Sequence, residues 1–131
     1  MNFIGHGIDI VEIAKMKQIL DKPGNNYEIR CFTETERISA PSNVTRIQYF
    51  SGRYAAKEAV LKALGTGWSQ GISLTDIEIQ RASSGQPLVV LYGKCQEIAS
   101  ELGIVNWLLS ISHTDLYTIA SAIALGKMLI Q

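Results

Sequence analysis

One long helical segment dominates this sequence and limits the folds that the chain can adopt. Residues 44–64 form the longest helical pattern, with alanine at positions 55, 56, 59 and 63. Alanine favours the helix by intrinsic propensity. Gly65 follows the segment, and glycine tolerates the left-handed conformation with which helices commonly end. The pattern therefore predicts one long helix that ends at Gly65.

Shorter elements flank this helix on both sides. Alternating apolar and polar residues predict strands, and apolar residues at helical spacing predict helices. Thr33 and Glu36 have the spacing of a capping box, which predicts a helix start at Thr33. The predicted strands are 3–12, 76–81, 88–92, 107–112 and 117–125, and the shorter helices are 13–21, 26–31, 34–39 and 94–102. Because the last four strands form two hairpins, the expected fold is α+β in one domain, residues 1–131.

The composition is that of an ordinary globular protein, and it argues against several classes of function. Hydrophobic residues make up 47%, and 12 basic residues balance 12 acidic ones, which argues against nucleic-acid binding. No apolar run approaches the roughly 18–20 residues that cross a membrane, and the N-terminus lacks a signal-peptide pattern. Two distant cysteines indicate a reducing compartment. We therefore expect a cytoplasmic protein that binds neither membranes nor nucleic acid.

Asp9 is the first candidate for chemistry. Strand alternation puts its side chain on the face opposite Ile8 and Ile10, and the neighbouring Gly5 and Gly7 predict a twist or a close approach of another backbone. A carboxylate on a covered face must be exposed at its tip, paired or bound to a metal, because burial of a bare charge is very costly. The alternative is a surface aspartate on an edge strand.

Glu58 and Lys62 are one turn apart on the long helix and therefore share a face. Their spacing alone is typical of a surface ion pair. Lys62, however, comes just before Gly65-Thr66-Gly67, and a lysine with the backbone N–H groups of such a loop can bind phosphate oxygens. The loop is too short for a P-loop, and it follows a helix instead of preceding one. Both interpretations stay open on spacing alone.

His113 stands at the end of a predicted strand, beside Ser112 and Thr114. It is either a structural hydrogen-bonding residue or a phosphate ligand and proton carrier. Ser112, His113 and Asp115 do not form a credible catalytic triad, because neighbours along a chain rarely point at one another and no nucleophile elbow is present. The sequence has no Cys/His cluster with zinc-ligand spacing.

Four segments together resemble one family. They are Gly7-Ile8-Asp9-Ile10-Val11-Glu12-Ile13, the central segment 50–59 with 62–67, Ser84-Gly85-Gln86-Pro87, and Ser110-Ile111-Ser112-His113-Thr114. In this order and spacing they resemble the motifs of the bacterial holo-acyl-carrier-protein synthases, which are small 4′-phosphopantetheinyl transferases. The resemblance covers nearly the whole chain, and the central motif is the most specific.

The resemblance implies a reaction and an assembly. The phosphopantetheine arm of coenzyme A passes to a serine of apo acyl carrier protein, which supports fatty acid biosynthesis and leaves adenosine 3′,5′-bisphosphate. It implies an α+β fold with the long helix packed on a small antiparallel sheet, and a homotrimer with active sites between subunits. It also implies a divalent metal, usually Mg²⁺, with Mn²⁺ as the alternative.

The resemblance also assigns roles to residues. Asp9 and Glu58 match metal-binding carboxylates, Lys62 matches a lysine near the pyrophosphate, and all three are the expected catalytic residues. Glu58 is the first candidate for the general base, although a metal-bound carboxylate is a poor base. The expected coenzyme A contacts are Arg53, Lys62, Gly65, Thr66, Gly85, Gln86, Pro87, His113 and Thr114, some of them from a neighbouring subunit.

Three departures from the family pattern concern binding. Gln86 stands where the family often has lysine, and Leu61 stands where other members have serine, so contacts to coenzyme A are weaker or missing. Arginines of the N-terminal helical region are replaced by lysines, which cannot bind bidentately. The basic residues expected to face an acidic carrier protein are Lys15, Lys17, Lys22, Arg30 and Arg37. Residues 1–67 carry nine basic and seven acidic groups, which suits such a partner.

Two other functions are compatible with the same residues. A non-catalytic module of this fold would bind a carrier protein or a nucleotide without turnover. A metal-dependent phosphate hydrolase would need more carboxylates, because two-metal sites have a denser ligand set than Asp9 and Glu58 provide.

Overall fold

The computed structural model describes residues 1–24, 26–66 and 71–128. The elements are β1 (Asn2–Glu12), α1 (Ile13–Leu20), α2 (Tyr27–Cys31), α3 (Glu34–Ser39), α4 (Arg46–Leu64), a short 3-10 helix (Leu74–Asp76), β2 (Ile77–Arg81), β3 (Pro87–Leu91), α5 (Gly93–Leu102), β4 (Ile104–His113) and β5 (Tyr117–Gly126). The predicted α+β order is confirmed. The largest boundary error is at β4, which begins three residues before the predicted start at Trp107.

The strands form two separate antiparallel sheets. One has the order β1-β5-β4, and the other consists of β2 and β3. Both predicted hairpins are confirmed. The sequence did not predict the pairing of β1 with β5, in which Asp9 is opposite Ala120 and Asn2 is opposite Gly126. This pairing brings the two ends of the chain together and places β1 at one edge of the three-stranded sheet.

Helix α4 packs directly on the three-stranded sheet, mainly on β1 and β5. A β carbon on Gly5 would overlap the carbonyl group of Ala63, and one on Gly7 would overlap that of Ala59. The predicted close backbone approach is therefore confirmed, and α4 is the partner. Small residues also line the neighbouring strand β5, where Ala120, Ala122 and Ala124 are buried.

The opposite side of α4 carries a buried ion pair. Nζ of Lys57 lies 2.6 Å from Oε1 of Glu36, and neither side chain is accessible to solvent. Glu36 belongs to the capping box with Thr33, which the structure contains as predicted. Helix α3, helix α4 and the start of β2 are thereby joined through one carboxylate.

The outer face of the three-stranded sheet, turned away from α4, carries exposed apolar side chains. Ile8 is 52% exposed, Ile10 61%, Leu108 46% and Ile119 39%. His6 lies on the same face, where its Nε2 is 3.1 Å from Oγ of Ser121. A single copy of the chain thus leaves one side of this sheet uncovered. Within the described ranges, no helix is both long and apolar enough to cross a membrane.

Candidate active site

Asp9 lies on the covered face of β1, beside α4. Its side chain is 18% exposed, and its Oδ1 accepts a hydrogen bond from Nζ of Lys62 at 3.0 Å. Lys62 also donates to the backbone carbonyl of Ile8 at 2.9 Å. Asp9 is therefore mostly buried and ion-paired. Spacing left two interpretations of Lys62 open, a surface pair with Glu58 and a phosphate contact, and the structure adds a contact between helix and strand.

The carboxyl group of Glu58 lies near enough to Asp9 for the charge of Asp9 to affect its pKa. Burial raises the pKa of its carboxyl group, the negative charge of Asp9 raises it further, and a hydrogen bond from the Tyr54 hydroxyl and the charge of Lys62 lower it. Tyr54 is one turn earlier on α4, so helix geometry alone aligns the hydroxyl with the carboxylate. A half-buried carboxylate that repels a neighbouring carboxylate is a site where bound positive charge would be stabilising.

Asp9 and Glu58 line one cavity of about 360 Å³, which we call the Asp9 cavity. Tyr27 and Tyr54 form its apolar wall, and Lys15 of α1 stands at its edge. The described residues contain no group of three or more His, Cys, Asp or Glu side chains that could hold a metal by themselves. Two carboxylates suit Mg²⁺, which keeps water and phosphate oxygens among its ligands, better than they suit zinc.

A second cavity, of about 380 Å³, brings together predicted residues that are far apart in sequence. Arg53 of α4, Gly85 and Pro87 of the β2–β3 hairpin, and His113 of β4 all line it, and we call it the Arg53 cavity. The guanidinium carbon of Arg53 lies 4.2 Å from the centre of the Tyr49 ring. Burial lowers the pKa of Arg53, so this cation stands in a partly desolvated place, where it attracts an anion strongly.

The two cavities lie on opposite sides of α4. Successive residues of an α-helix are rotated by about 100°, so Arg53 is rotated by about 140° from Glu58 and by about 180° from Lys62. The two cavities have no lining residue in common. The predicted metal-binding residues and the predicted coenzyme A contacts at the Arg53 cavity are therefore separated by the width of the helix within one chain.

Five predicted binding residues lie outside the lining of both cavities, namely Lys62, Gly65, Thr66, Gln86 and Thr114. Gly65 ends α4 with φ of 76°, as its predicted capping role requires, and Thr66 follows it. Gln86 is exposed at the hairpin turn. Oγ1 of Thr114 accepts hydrogen bonds from the backbone of Leu116 and Tyr117 and so shapes the β4–β5 turn. Gly67 and Trp68 lie outside the described residues.

Comparison with known proteins identifies the family. The sequence matches the family model described as the 4′-phosphopantetheinyl transferase superfamily over residues 5–120. The chain belongs to this superfamily. It is 38% identical to the holo-[acyl-carrier-protein] synthase of Koribacter versatilis, over 92% of this chain and 96% of that protein. It is 42% identical to the synthase of Natranaerobius thermophilus, over 92% and 95%.

Solved structures agree with this assignment. The holo-ACP-synthase from Plasmodium yoelii has a TM-score of 0.84 at 35% identity, covering 97% of this chain and 98% of that one. The ACPS–CoA complex of Chronobacterium ammoniagenes has a TM-score of 0.80 at 29% identity, covering 95% and 98%. The predictions of the phosphopantetheinyl transferase family, of its α+β fold and of a transferase enzyme are confirmed.

Sequence reasoning missed several residues of the candidate site. Tyr54 was given no role within the central segment 50–59, although its position four residues before Glu58 was a usable signal. Arg81 and Thr118 line the Arg53 cavity, yet neither belongs to the four motifs. Lys57 was passed over inside the central motif because spacing cannot distinguish an exposed lysine from a buried one.

Proposed function

We propose that this phosphopantetheinyl transferase moves the 4′-phosphopantetheine group of coenzyme A to a serine of apo acyl carrier protein, with Mg²⁺ bound by Asp9 and Glu58. The observation that carries the proposal is that Asp9 and Glu58 line one cavity, where the two carboxylates repel each other and Asp9 is paired with the ammonium group of Lys62. Relatives named holo-[acyl-carrier-protein] synthase and a relative solved with CoA support the substrates.

The chemistry is a displacement at phosphorus. The serine oxygen forms a bond to the phosphorus that carries the pantetheine arm, and the bond from this phosphorus to the bridging pyrophosphate oxygen breaks. Adenosine 3′,5′-bisphosphate leaves, and the serine proton goes to a base. Mg²⁺ would neutralise the charge that develops on the pyrophosphate.

The residues of the chain supply binding, orientation and the proton acceptor. Lys62, held between Asp9 and the carbonyl of Ile8, presents an ammonium group that stabilises the leaving phosphate. The pKa of Glu58 is raised in the metal-free protein and would fall with a metal ion bound, so the role of Glu58 as proton acceptor rests on the position of its carboxylate at the Asp9 cavity. The Tyr54 hydroxyl orients this carboxylate. Glu58 is accordingly the proposed general base.

We infer that the active enzyme is a homotrimer whose active sites lie between subunits. The Asp9 cavity and the Arg53 cavity are on opposite sides of α4, so one coenzyme A molecule cannot use both cavities of the same chain without crossing the helix. A neighbouring copy would supply the second cavity. The exposed apolar side chains on the outer sheet face, Ile8, Ile10, Leu108 and Ile119, offer the surface for such contacts.

The carrier protein would approach the Asp9 cavity. Lys15 lines this cavity, and Arg30 lies near the Tyr27 ring that forms its wall. Lys17 and Lys22 are exposed on and after α1, whereas Arg37 donates to the backbone carbonyl of Phe32. We therefore assign the carrier contact to Lys15, Lys17, Lys22 and Arg30 more than to Arg37. The role in fatty acid biosynthesis and the cytoplasmic location stay predictions.

Mass spectrometry tests the reaction. Apo carrier protein incubated with coenzyme A and Mg²⁺ should gain the mass of the phosphopantetheine arm. The Asp9→Asn and Glu58→Gln variants should each lose about 10²–10³-fold in rate, whereas Glu101→Gln, an exposed carboxylate on α5, should not. Full activity in both site variants would overturn the metal assignment, and coenzyme A binding without transfer would favour a binding module.

Mixing of inactive variants tests the shared site. Glu58→Gln and Arg53→Gln chains should each be inactive alone, because each damages one half of every site. After exchange of subunits, about a quarter of the sites would combine an intact Glu58 with an intact Arg53 from the neighbour. Recovery of about this fraction supports the shared site, and no recovery despite subunit exchange contradicts it.

A further inference from the structure

Two buried polar atoms meet at the Arg53 cavity without hydrogen-bond partners. In the described part of the chain, three buried side-chain nitrogen or oxygen atoms lack a partner, and two of them are Nε of Arg53 and Oγ1 of Thr118. Both residues line the Arg53 cavity. The third atom belongs to Thr66, which adjoins residues outside the described ranges. Because buried polar groups nearly always have hydrogen-bond partners, two buried polar atoms without partners at one cavity indicate a ligand.

Of these two residues, Thr118 is the one whose polar group the packing does not require. It lies on β5 opposite His113 of β4, and it is only 2% exposed. A small apolar residue would satisfy the packing against Gly52, which its methyl group approaches. Rotation about the Cα–Cβ bond exchanges the methyl and hydroxyl positions between staggered rotamers. A threonine at this point therefore costs stability unless its hydroxyl finds a partner in the cavity.

Arg81 adds a second guanidinium group to the same cavity. It ends β2 and pairs with Pro87 across the hairpin. Burial lowers the pKa of Arg53, and the positive charge of Arg81 lowers it further; both residues line the same cavity. Among the described residues, no carboxylate lines the cavity and no ion pair of Arg81 occurs. Two guanidinium groups and His113 at a cavity whose described lining holds no carboxylate suit a doubly charged anion.

We propose that Arg81 and Thr118 bind the phosphate monoester on the ribose of the nucleotide substrate, together with Arg53. This inference rests on the proposed function, since coenzyme A carries both a pyrophosphate and a ribose 3′-phosphate. The pyrophosphate is assigned to Asp9, Glu58 and Lys62, which leaves the 3′-phosphate for the cationic cavity. Arg81 then supplies, from the end of the same hairpin, the positive charge that the exposed Gln86 does not carry.

Calorimetric titration with coenzyme A and with dephospho-coenzyme A, which lacks the 3′-phosphate, tests the role of Arg81. The wild-type protein should bind coenzyme A more tightly. Arg81→Gln should weaken binding of coenzyme A by about tenfold and that of dephospho-coenzyme A by less than about twofold, because only the first ligand offers the phosphate. Lys94→Gln is the matched control, since Lys94 lines neither cavity, and it should change neither affinity.

Thr118→Val tests the hydroxyl group without a change of shape. It should weaken coenzyme A binding by about three- to tenfold and dephospho-coenzyme A binding by less than twofold, and Thr118→Ser should restore the difference. The melting temperature of Thr118→Val should be equal to or above that of the wild type, because an unsatisfied hydroxyl is removed. A purely structural threonine would instead lower the melting temperature and leave the two affinities in their original ratio.

The outcomes separate this inference from the proposed function. Equal weakening of both ligands in Arg81→Gln and Thr118→Val would overturn the phosphate assignment, as would equal wild-type affinities. Because calorimetry needs no turnover, a protein that prefers coenzyme A through Arg81 and Thr118 but does not modify the carrier supports the subsite and overturns the transfer reaction.

Discussion

Lys57 and Glu36 form a buried ion pair, with 2.6 Å between Nζ and Oε1 and no solvent access to either side chain. Lys57 also donates to the backbone carbonyls of Leu74 and Ile77. The other carboxylate oxygen of Glu36 accepts from the backbone N–H of Ile79 at 2.8 Å. The pair thus binds to groups of the 3-10 helix and of β2, and it joins them to α3 and α4. Since the next residue on α4 is Glu58, the pair also fixes the helix that carries the site.

Removal of the lysine should destabilise the fold strongly. Lys57→Met leaves the Glu36 carboxylate buried without a counter-charge, which costs about 3–5 kcal/mol. Urea unfolding measures this loss, and Lys94→Met, which removes a partly exposed lysine of α5, is the control. The double variant Lys57→Met with Glu36→Gln should recover part of the stability, because the uncompensated charge is gone. A loss below about 1 kcal/mol in the single variant would contradict the buried pair.

Gly7→Ala should disrupt the packing of β1 on α4. The new methyl group would overlap the Ala59 carbonyl, and overpacking of this kind costs about 1–3 kcal/mol. Asp9 is two residues further along the same face of β1. We therefore expect that a displacement of β1 also lowers the rate of transfer. Circular dichroism melting and the mass-spectrometric assay measure the two effects.

Gly52→Ala is the matched control for this change. A β carbon at Gly52 would meet Ile111 and Thr118 at 3.4 and 3.5 Å, which is ordinary contact. Alanine also favours the helix interior by up to about 1 kcal/mol over glycine. Gly52→Ala should thus keep or raise the melting temperature. If both variants lost the same stability, space at Gly7 would not be the reason for the glycine.

The stability of the metal-free protein should depend on the protonation of Glu58. Its pKa is raised above the ordinary value of 4.5 by burial and by Asp9. Below pH of about 4.5 both folded and unfolded states hold the proton. As pH rises, the unfolded state releases it first, so stability falls until the folded state has released it as well. The Glu58→Gln variant has no carboxyl group at this position, so its stability should not fall in this way.

Melting curves in the presence of a chelator check this dependence. The difference in melting temperature between Glu58→Gln and the wild type should grow as pH rises from about 4 to 7. Added Mg²⁺ should then stabilise the wild type and not the variant, because a ligand stabilises only the state that binds it. A constant difference across this range would show that Glu58 has an ordinary pKa.

Tyr54→Phe should raise the pKa of Glu58 in the metal-free protein. The Tyr54 hydroxyl donates a hydrogen bond to Glu58 and lowers its pKa. Loss of this bond raises the pKa, so the stability loss of the metal-free protein should extend to higher pH in Tyr54→Phe. Tyr92→Phe, which removes an exposed hydroxyl near Glu78, is the control and should leave the Glu58 titration in place.

Local sequence patterns predicted the elements well because the residues that define them are neighbours. Thr33 and Glu36 form the predicted capping box, and Gly65 ends α4 as predicted. For the same reason, strand alternation placed Asp9 on the face opposite Ile8 and Ile10, although it left open whether that face is covered. Pairing over long distances was not predictable in this way. The β1–β5 ladder, the Lys57–Glu36 pair and the gathering of Arg53, Arg81 and Thr118 depend on tertiary packing, which spacing does not encode.

Charge reversal at Lys15 should weaken recognition of the carrier protein. Lys15 stands at the edge of the Asp9 cavity, and its contact with Glu12, at 3.9 Å, is long and exposed, so it contributes little to folding. Lys15→Glu should raise KM for an acidic carrier protein by about tenfold with little change in kcat, and the effect should shrink at high salt. Lys94→Glu, on α5, should not change KM. If both variants raised KM equally, net charge and not the position of Lys15 would govern the encounter.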